Sequence, residues 1–414
     1  MQQDFFAPFQ ISSPTGPKPW PIIRNLNLIG NLPHRSIHEL FRKYGPIMQL
    51  RFGSFPVVVG SNVEVAKIFL KSMDINFVDR PKMAAGKYTA YNYSDISWAP
   101  YGPYWRQARR ICVMELFSPK RIDSYGYIRA EELHSLLHNL NRLSGKPILL
   151  KDYLKTLSLN IISRMVLGKK SMDEPHNSIK NMPGEMIWLN AVLNIGDAIP
   201  AIDFMDLQGY VKRMKVVSKK FDSFLEDVLN EHNARRKVED NNVAKDMVDV
   251  LLQLADDPSL EVKLERQGVK AFTQDLLAAG TESSAVTVEW AISELLKKPE
   301  IFNKATEELD RVIGQNRWAL KPDRFLGKCI DVKGHDFELL PFGAGRRMCP
   351  GYSLGLKVVQ ATTANLLHGF KWSLPDNMTP EDLNMEEMFG LSIPRKTPLV
   401  AVIEPRLPLN LYSA

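Results

Sequence analysis

Apolar and polar positions alternate over Ile47–Phe52, pause at Gly53-Ser54, and give way to the β-branched run Phe55–Val59, a pattern that predicts a hairpin. Directly after it, Ser61-Asn62-Val63-Glu64 reads as a capping box opening a helix to about Lys71. From Trp105 to about Val250 apolar residues recur at helical spacing, punctuated by Pro119, Gly145 and Pro200. A long helix is predicted from about Val269 to Lys298, where Pro299 ends it, and its centre, Leu276 to Ala285, is rich in small and hydroxyl residues. A further helical run, Leu354–Leu367, has Gly369 as its cap, and more sheet is expected around Leu391–Ile403. Pro14 to Pro21 holds four prolines and reads as a stiff extended connector, and the charged stretch Glu231–Asp246 reads as a solvated loop. The fold class expected is mainly α with a minor β region.

Composition narrows the function classes. The chain has 414 residues, enough for one large domain or two or three smaller ones, and 44 % hydrophobic with 24 % charged residues describes a folded chain and not a disordered one. The net charge of +6 is scattered and unaccompanied by an aromatic-and-basic array, so nucleic acid is not an expected partner. Such a charge suits an acidic protein or an anionic membrane surface instead. Cys112, Cys329 and Cys349 show no paired spacing, which argues against a disulfide framework or a zinc site and for a reducing, intracellular setting. Met1–Ser13 is too short for a transmembrane helix or signal peptide. The pairs His34/His38 and His134/His138 have metal-binding spacing but no accompanying Glu, and read as exposed helix histidines.

The strongest chemical signal is Pro341-Phe342-Gly343-Ala344-Gly345-Arg346-Arg347-Met348-Cys349-Pro350-Gly351, set just before a helix. Glycines, two arginines and a helix amino terminus all favour an anionic sulfur at Cys349. Haem iron is one centre that uses such a lone thiolate. Glycines let a loop approach a flat porphyrin, and Arg347 could pair with a propionate. An inert buried cysteine is the common alternative for a lone thiol, but the string Phe342-x-x-Gly345-x-Arg347-x-Cys349-x-Gly351 resembles the haem-binding signature of the cytochrome P450 superfamily at every fixed position.

The resemblance extends from Pro14 to Pro408 and is nearest to plant microsomal enzymes of specialised metabolism, flavonoid 3'-hydroxylases among them. It implies the cytochrome P450 fold, a haem cofactor with Cys349 as axial ligand, and haem contacts from Trp105, Arg109, Phe342, Gly343, Gly345, Arg347 and Gly351. Ala279-Gly280-Thr281-Glu282-Ser283 resembles the oxygen-binding segment, in which Gly280 would permit a local helix distortion, Glu282 would relay protons and Ser283, where the family usually has Thr, would bond the iron-bound oxygen. For Ser283 a bond back to the preceding turn is the structural alternative. The implied activity is insertion of one oxygen atom into a small hydrophobic or phenolic plant metabolite, flavonoid-type hydroxylation first and terpenoid oxidation second. Electrons would come from NADPH through a reductase, received near Arg106, Arg109, Arg110, Lys120 and Arg121. Tyr88–Tyr104 and Phe389–Ser392 correspond to walls of the substrate pocket. The implied location is the cytoplasmic face of the endoplasmic reticulum, or a peripheral or cytosolic one, since no anchor precedes the hinge.

Two segments are expected, 1–24 as hinge without an anchor and 25–414 as one domain with a deletion between about 312 and 322. There the family carries another helix, several strands and a Glu-x-x-Arg pair that locks to an arginine matched here by Arg324, in Pro322-Asp323-Arg324-Phe325. Glu308-Leu309-Asp310-Arg311 satisfies Glu-x-x-Arg by letter but reads as a surface helix face. Two further readings follow: a non-catalytic remnant from a shortened transcript or incomplete gene model, and a ligand-binding helical protein without haem.

Overall fold

The computed structural model describes residues 14–170, 181–238, 244–314 and 331–413. Cys329 and the segment Pro322–Phe325 lie outside them, as does most of the expected deletion point. The chain separates into two units, residues 1–78, 194–208 and 331–348 in the first, and 79–193, 209–330 and 349–414 in the second.

The first unit holds helix α1 (Pro33–Tyr44), strands β1 (Ile47–Phe52) and β2 (Phe55–Gly60), helix α2 (Val63–Lys67) and, later in the chain, α9 (Ile195–Ala198). The expected hairpin forms, and its register runs from Ile47 opposite Gly60 to Phe52 opposite Phe55. Its alternation turns Met48 and Leu50 inward, where both are buried. The helix cap is Asn62 and not Ser61: the Asn62 side chain accepts from Val65 N–H, and a π-helical turn, Ile68–Ser72, follows α2.

The second unit is built on helices. In chain order they are α3 (Ala84–Thr89), α4 (Pro103–Ile111), α5 (Pro119–Ser124), α6 (Gly126–Asn141), α7 (Leu150–Leu167), α8 (Met182–Ala191), α10 (Tyr210–Val238), α11 (Met247–Ala255), α12 (Arg266–Lys297), α13 (Pro299–Ile313) and α14 (Tyr352–Gly369). Strands β3 (Pro147–Leu149), β5 (Val400–Pro405) and β4 (Phe370–Ser373) form an antiparallel sheet in that spatial order. Helix α12 is the axis of the unit and packs against α7, α8, α10, α11, α13 and α14. A helix so surrounded needs apolar or small residues on every face, as the sequence of α12 supplies. Gly369 is the last residue of α14 and not its cap.

Two expectations from charge patterning are corrected. Glu231–Val238 continues α10 and is no loop, because His232 is buried against Val228 and Asp246. Asp246, also buried, caps α11 by accepting from Asp249 N–H at 2.9 Å. His232, Asp246 and Asp249 gather like metal ligands, yet Arg235 already supplies the cation, bonding Asp246 at 3.1 Å and Asp249 at 2.7 Å. Glu308 and Arg311 do lie exposed on a surface face, but the two residues between them do not: Leu309 is buried, and Asp310 pairs with Arg406 at 2.7 Å and lies 3.4 Å from His368. The helix histidines divide, His34 and His38 being exposed while His138 Nδ1 lies 2.7 Å from the Tyr412 carbonyl.

Candidate functional site

Cys349 opens the last segment of the second unit, and α14 begins three residues later. Burial pushes the Cys349 thiol up, against the downward pull of the Gly351 N–H and of Arg109. The expected thiolate is therefore not produced by the polypeptide alone, because desolvation outweighs one amide and one guanidinium. Arg109, on α4, is half-buried, which lowers its pKa, while Cys112 and Cys349 raise it. Trp105, one turn earlier, is buried and donates its indole N–H to the Ile96 carbonyl at 3.1 Å. Cys112 is a buried free thiol pushed up to about 12 by its burial.

The preceding part of the motif belongs to the first unit. Gly345 has φ +70, and a Cβ there would stand 2.2 Å from the Leu70 carbonyl oxygen, so both conformation and space demand glycine. Arg346 pairs with Asp74 at 2.9 Å, and Arg347 Nε donates to the Val78 carbonyl at 2.8 Å. Gly343 also has φ +70, and Phe342 precedes it in the same turn.

On α12 the segment Ala279–Ser283 is helical throughout. What demands glycine at 280 is the approach of α7, since a Cβ would meet Ile162 Cγ1 at 2.7 Å. Ser283 is exposed, and its hydroxyl donates back to the Ala279 carbonyl at 2.9 Å, the structural alternative raised above. Glu282 accepts from Ser392 Oγ at 3.2 Å. The same helix holds that loop twice more, Trp290 Nε1 donating to Ile393 O at 3.0 Å and Leu399 N–H donating to Glu289 at 2.9 Å.

A cavity of about 500 Å³ lies one turn before Glu282, walled by α12, α8, α3 and the loop that follows α3. Ala278, Ala279, Met186, Ile187 and Leu391 form its apolar surface. Its polar surface contains a buried carboxyl pair that sequence reasoning missed. Asp275 accepts from Ile96 N–H at 3.0 Å and from Ser97 N–H at 3.3 Å, and Asp95 accepts from Trp98 N–H at 2.7 Å. Burial pushes both carboxyls up, Asp275 to about 6, and each acts on the other. The available signal was spacing: Asp275 stands four and eight residues before Ala279 and Ser283, on the same helix face.

These residues suit an iron porphyrin. A sulfur held uncharged by burial, with an amide and a guanidinium alongside, is stabilised as an anion once a metal cation bonds it. Ala279, Ser283 and Thr287 are exposed at four-residue intervals on a helix otherwise largely covered, a small-residue strip on which a flat group can lie.

Comparison with known proteins agrees. The family model for cytochrome P450 matches residues 14–320 and 319–402. The chain is 38 % identical to trimethyltridecatetraene synthase of Zea mays, over 97 % of this chain and 90 % of that protein, in an alignment of 499 positions. It is 37 % identical to flavonoid 3'-monooxygenase of Arabidopsis thaliana, over 97 % of this chain and 93 % of that one. Flavonoid 3'-monooxygenase of Petunia hybrida is 35 % identical over 98 % of this chain and 94 % of that protein. The chain belongs to the cytochrome P450 family. Its class is that of the haem-thiolate monooxygenases, and its mainly helical fold with small sheets is the family's.

Proposed function

We propose that this chain oxidises a small plant phenolic of flavonoid type, with Cys349 as the axial ligand of a haem. The observation that carries the reading is the Cys349 loop: sulfur, Gly351 amide and Arg109 stand together, and every fixed position of the haem signature is filled. The haem, when bound, supplies oxygen activation using electrons delivered by a reductase from NADPH. Trp105, Arg109, Phe342, Gly343, Gly345, Arg347 and Gly351 would hold it. Glu282, positioned by Ser392, holds a carboxylate that can pass a proton at Oε2, and Ser283 offers a hydroxyl one residue on. Ala278, Ala279 and Leu391 present substrate with a water-poor wall.

Location and partners are read from surfaces. In the first unit Trp20, Ile22, Phe55 and Phe204 are exposed apolar side chains, which suits contact with the endoplasmic reticulum membrane. No helix among the described residues is long and apolar enough to cross a membrane. Exposed Arg106, Arg110 and Lys120 suit an acidic reductase.

A second reading, a non-catalytic remnant, is favoured by one specific observation. The family match falls into two pieces that meet at 319–320, and the 499-position alignment exceeds the chain's 414 residues. We read this as loss of an internal helix-and-strand segment. The two readings part on the reduced, carbon-monoxide-treated chain after purification with haem supplied. A red-shifted Soret band is expected for the enzyme, and its absence from colourless protein would leave the remnant.

A further inference from the structure

Taken as the substrate chamber, a reading that rests on the function proposed above, the cavity of about 500 Å³ beside α12 has one aromatic side chain in its wall among the described residues, Trp98. Trp98 lies in the loop after α3, and loop side chains are ordinarily mobile. This one is fixed at three places. Its backbone N–H donates to Asp95 Oδ1 at 2.7 Å. Its indole lies against α3, so close that a Cβ on Gly86 would stand 3.1 Å from Trp98 Cδ2. Its Nε1 donates to Asn190 Oδ1, on α8, at 2.8 Å.

The third attachment sets the orientation of the ring. An indole N–H can only donate, and a main-chain carbonyl can only accept. Asn190 faces one of each: it takes the Trp98 N–H at Oδ1 and donates from Nδ2 to the Met186 carbonyl at 2.8 Å and to Thr89 Oγ1 at 3.2 Å. Thr89 Oγ1 in turn donates to the Ala85 carbonyl at 2.7 Å, and the Thr89 carbonyl accepts from Gln274 on α12. Among side chains of this length only an amide meets such opposed demands. A carboxylate would turn an acceptor on the Met186 carbonyl, and an aliphatic group would serve neither side. One amide therefore ties the ring to α3 and α8, and through Thr89 to α12, and rotation of the ring would leave these polar groups unpaired.

We propose that Asn190 is a positioning residue for substrate selection: it holds the Trp98 indole as a rigid panel of the chamber wall, and the chamber thereby favours planar aromatic substrates over bent or acyclic ones. A ring already held in place loses no rotamer freedom when a ligand packs on it, so the stacking free energy is kept for binding. A planar ligand makes that contact over its whole face. A tetrahedral carbon in the ring system lifts part of the molecule away, and an acyclic chain has no face to offer.

The test measures binding by calorimetry on the full chain supplied with haem. The ligands are a hydroxylated flavone, the flavanone of the same hydroxylation pattern, whose saturated ring carbon takes one ring out of plane, and an acyclic terpene alcohol. The native chain is expected to bind the flavone about fivefold more tightly than the flavanone, the size of one aromatic stacking contact. Asn190→Leu is expected to bring that ratio to within about twofold and to leave the terpene alcohol within about twofold of its native affinity. Asn190→Asp, which keeps an acceptor for the indole, should restore part of the ratio. Trp98→Phe breaks the same bond from the other side, so it too should lower the ratio, and in that background Asn190→Leu should change it no further. A native chain without the preference, equal weakening of all three ligands in the variants, a native ratio in Asn190→Leu, or the same change in both backgrounds would each overturn the proposal. The carbon-monoxide spectrum of the same samples reads the haem-thiolate assignment separately. A red-shifted band without an Asn190-dependent preference sinks this inference and leaves the activity standing, and an Asn190-dependent preference in a chain without the band does the reverse.

Discussion

Cys349 and His232 are both titratable groups drawn out of water in the same unit, and the protein provides for them in opposite ways. His232 faces an acceptor at each ring nitrogen, Val228 O at 2.8 Å and Asp246 Oδ2 at 3.0 Å, an arrangement that a charged ring donating from both nitrogens satisfies. Burial pushes its pKa down, but the Asp246 bond and charge and the Val228 carbonyl push harder, and the net shift is upward. At Cys349 the balance reverses: burial wins over Gly351 and Arg109. A group with a purely architectural task is given its whole counter-charge by the chain. The sulfur proposed as a ligand receives only part of its counter-charge from the chain, from Arg109 and the Gly351 amide.

That contrast can be broken most severely at Cys349 itself. Cys349→Ser is expected to abolish the red-shifted carbon-monoxide band completely while leaving far-ultraviolet circular dichroism and melting temperature close to native. Asp246→Ala should do the converse. Stranding buried His232 beside Arg235 costs about 3–5 kcal/mol, read as a lower urea midpoint, with the thiolate band kept in whatever protein remains folded. The pH dependence sharpens the comparison. Because the folded pKa of His232 is raised, its contribution is full below the ordinary imidazole range and is lost as pH climbs through the raised value. Asp246, with a lowered pKa despite its burial, contributes above the ordinary carboxylate range and loses that as pH falls through its depressed value. Urea midpoints from acid to mildly alkaline pH should therefore fall at both ends, and His232→Gln should flatten the alkaline fall. The smallest effect is steric: Gly280→Ala, whose methyl meets Ile162, should cost about 1–3 kcal/mol and be partly relieved by Ile162→Val in a double-mutant cycle.

Legibility in the sequence tracks how local the determining physics is. The hairpin at Ile47–Gly60 and the limits of α12 come from periodicity and turn residues within a few positions, and the structure has them within a few residues of expectation. The cysteine loop was legible because its residues are contiguous. Asp310 was not, because its partner Arg406 is 96 residues away and a charged helix residue reads alike whether solvated or paired. His232 and Asp246 failed the same way: a charged run suggests water, and only α10 packing on α11 encloses it. Asp95 and Asp275 are 180 positions apart, and nothing in either local context announces a shared wall. The electrostatics of Cys349 was also misjudged, since motif residues show which charges are near but not how much solvent is removed.

The three bonds from α12 to the 392–399 loop have a practical consequence for redesign. Leu391 lines the cavity beside α12, while its neighbour Ser392 bonds Glu282, so the cavity wall and the proposed proton relay are mechanically one part. Grafting a relative's loop to change which compound is accepted would retune the acid at the same stroke. Altered selectivity and altered coupling of electrons to product should therefore travel together in such chimeras, unless the Ser392, Ile393 and Leu399 attachments are carried across unchanged.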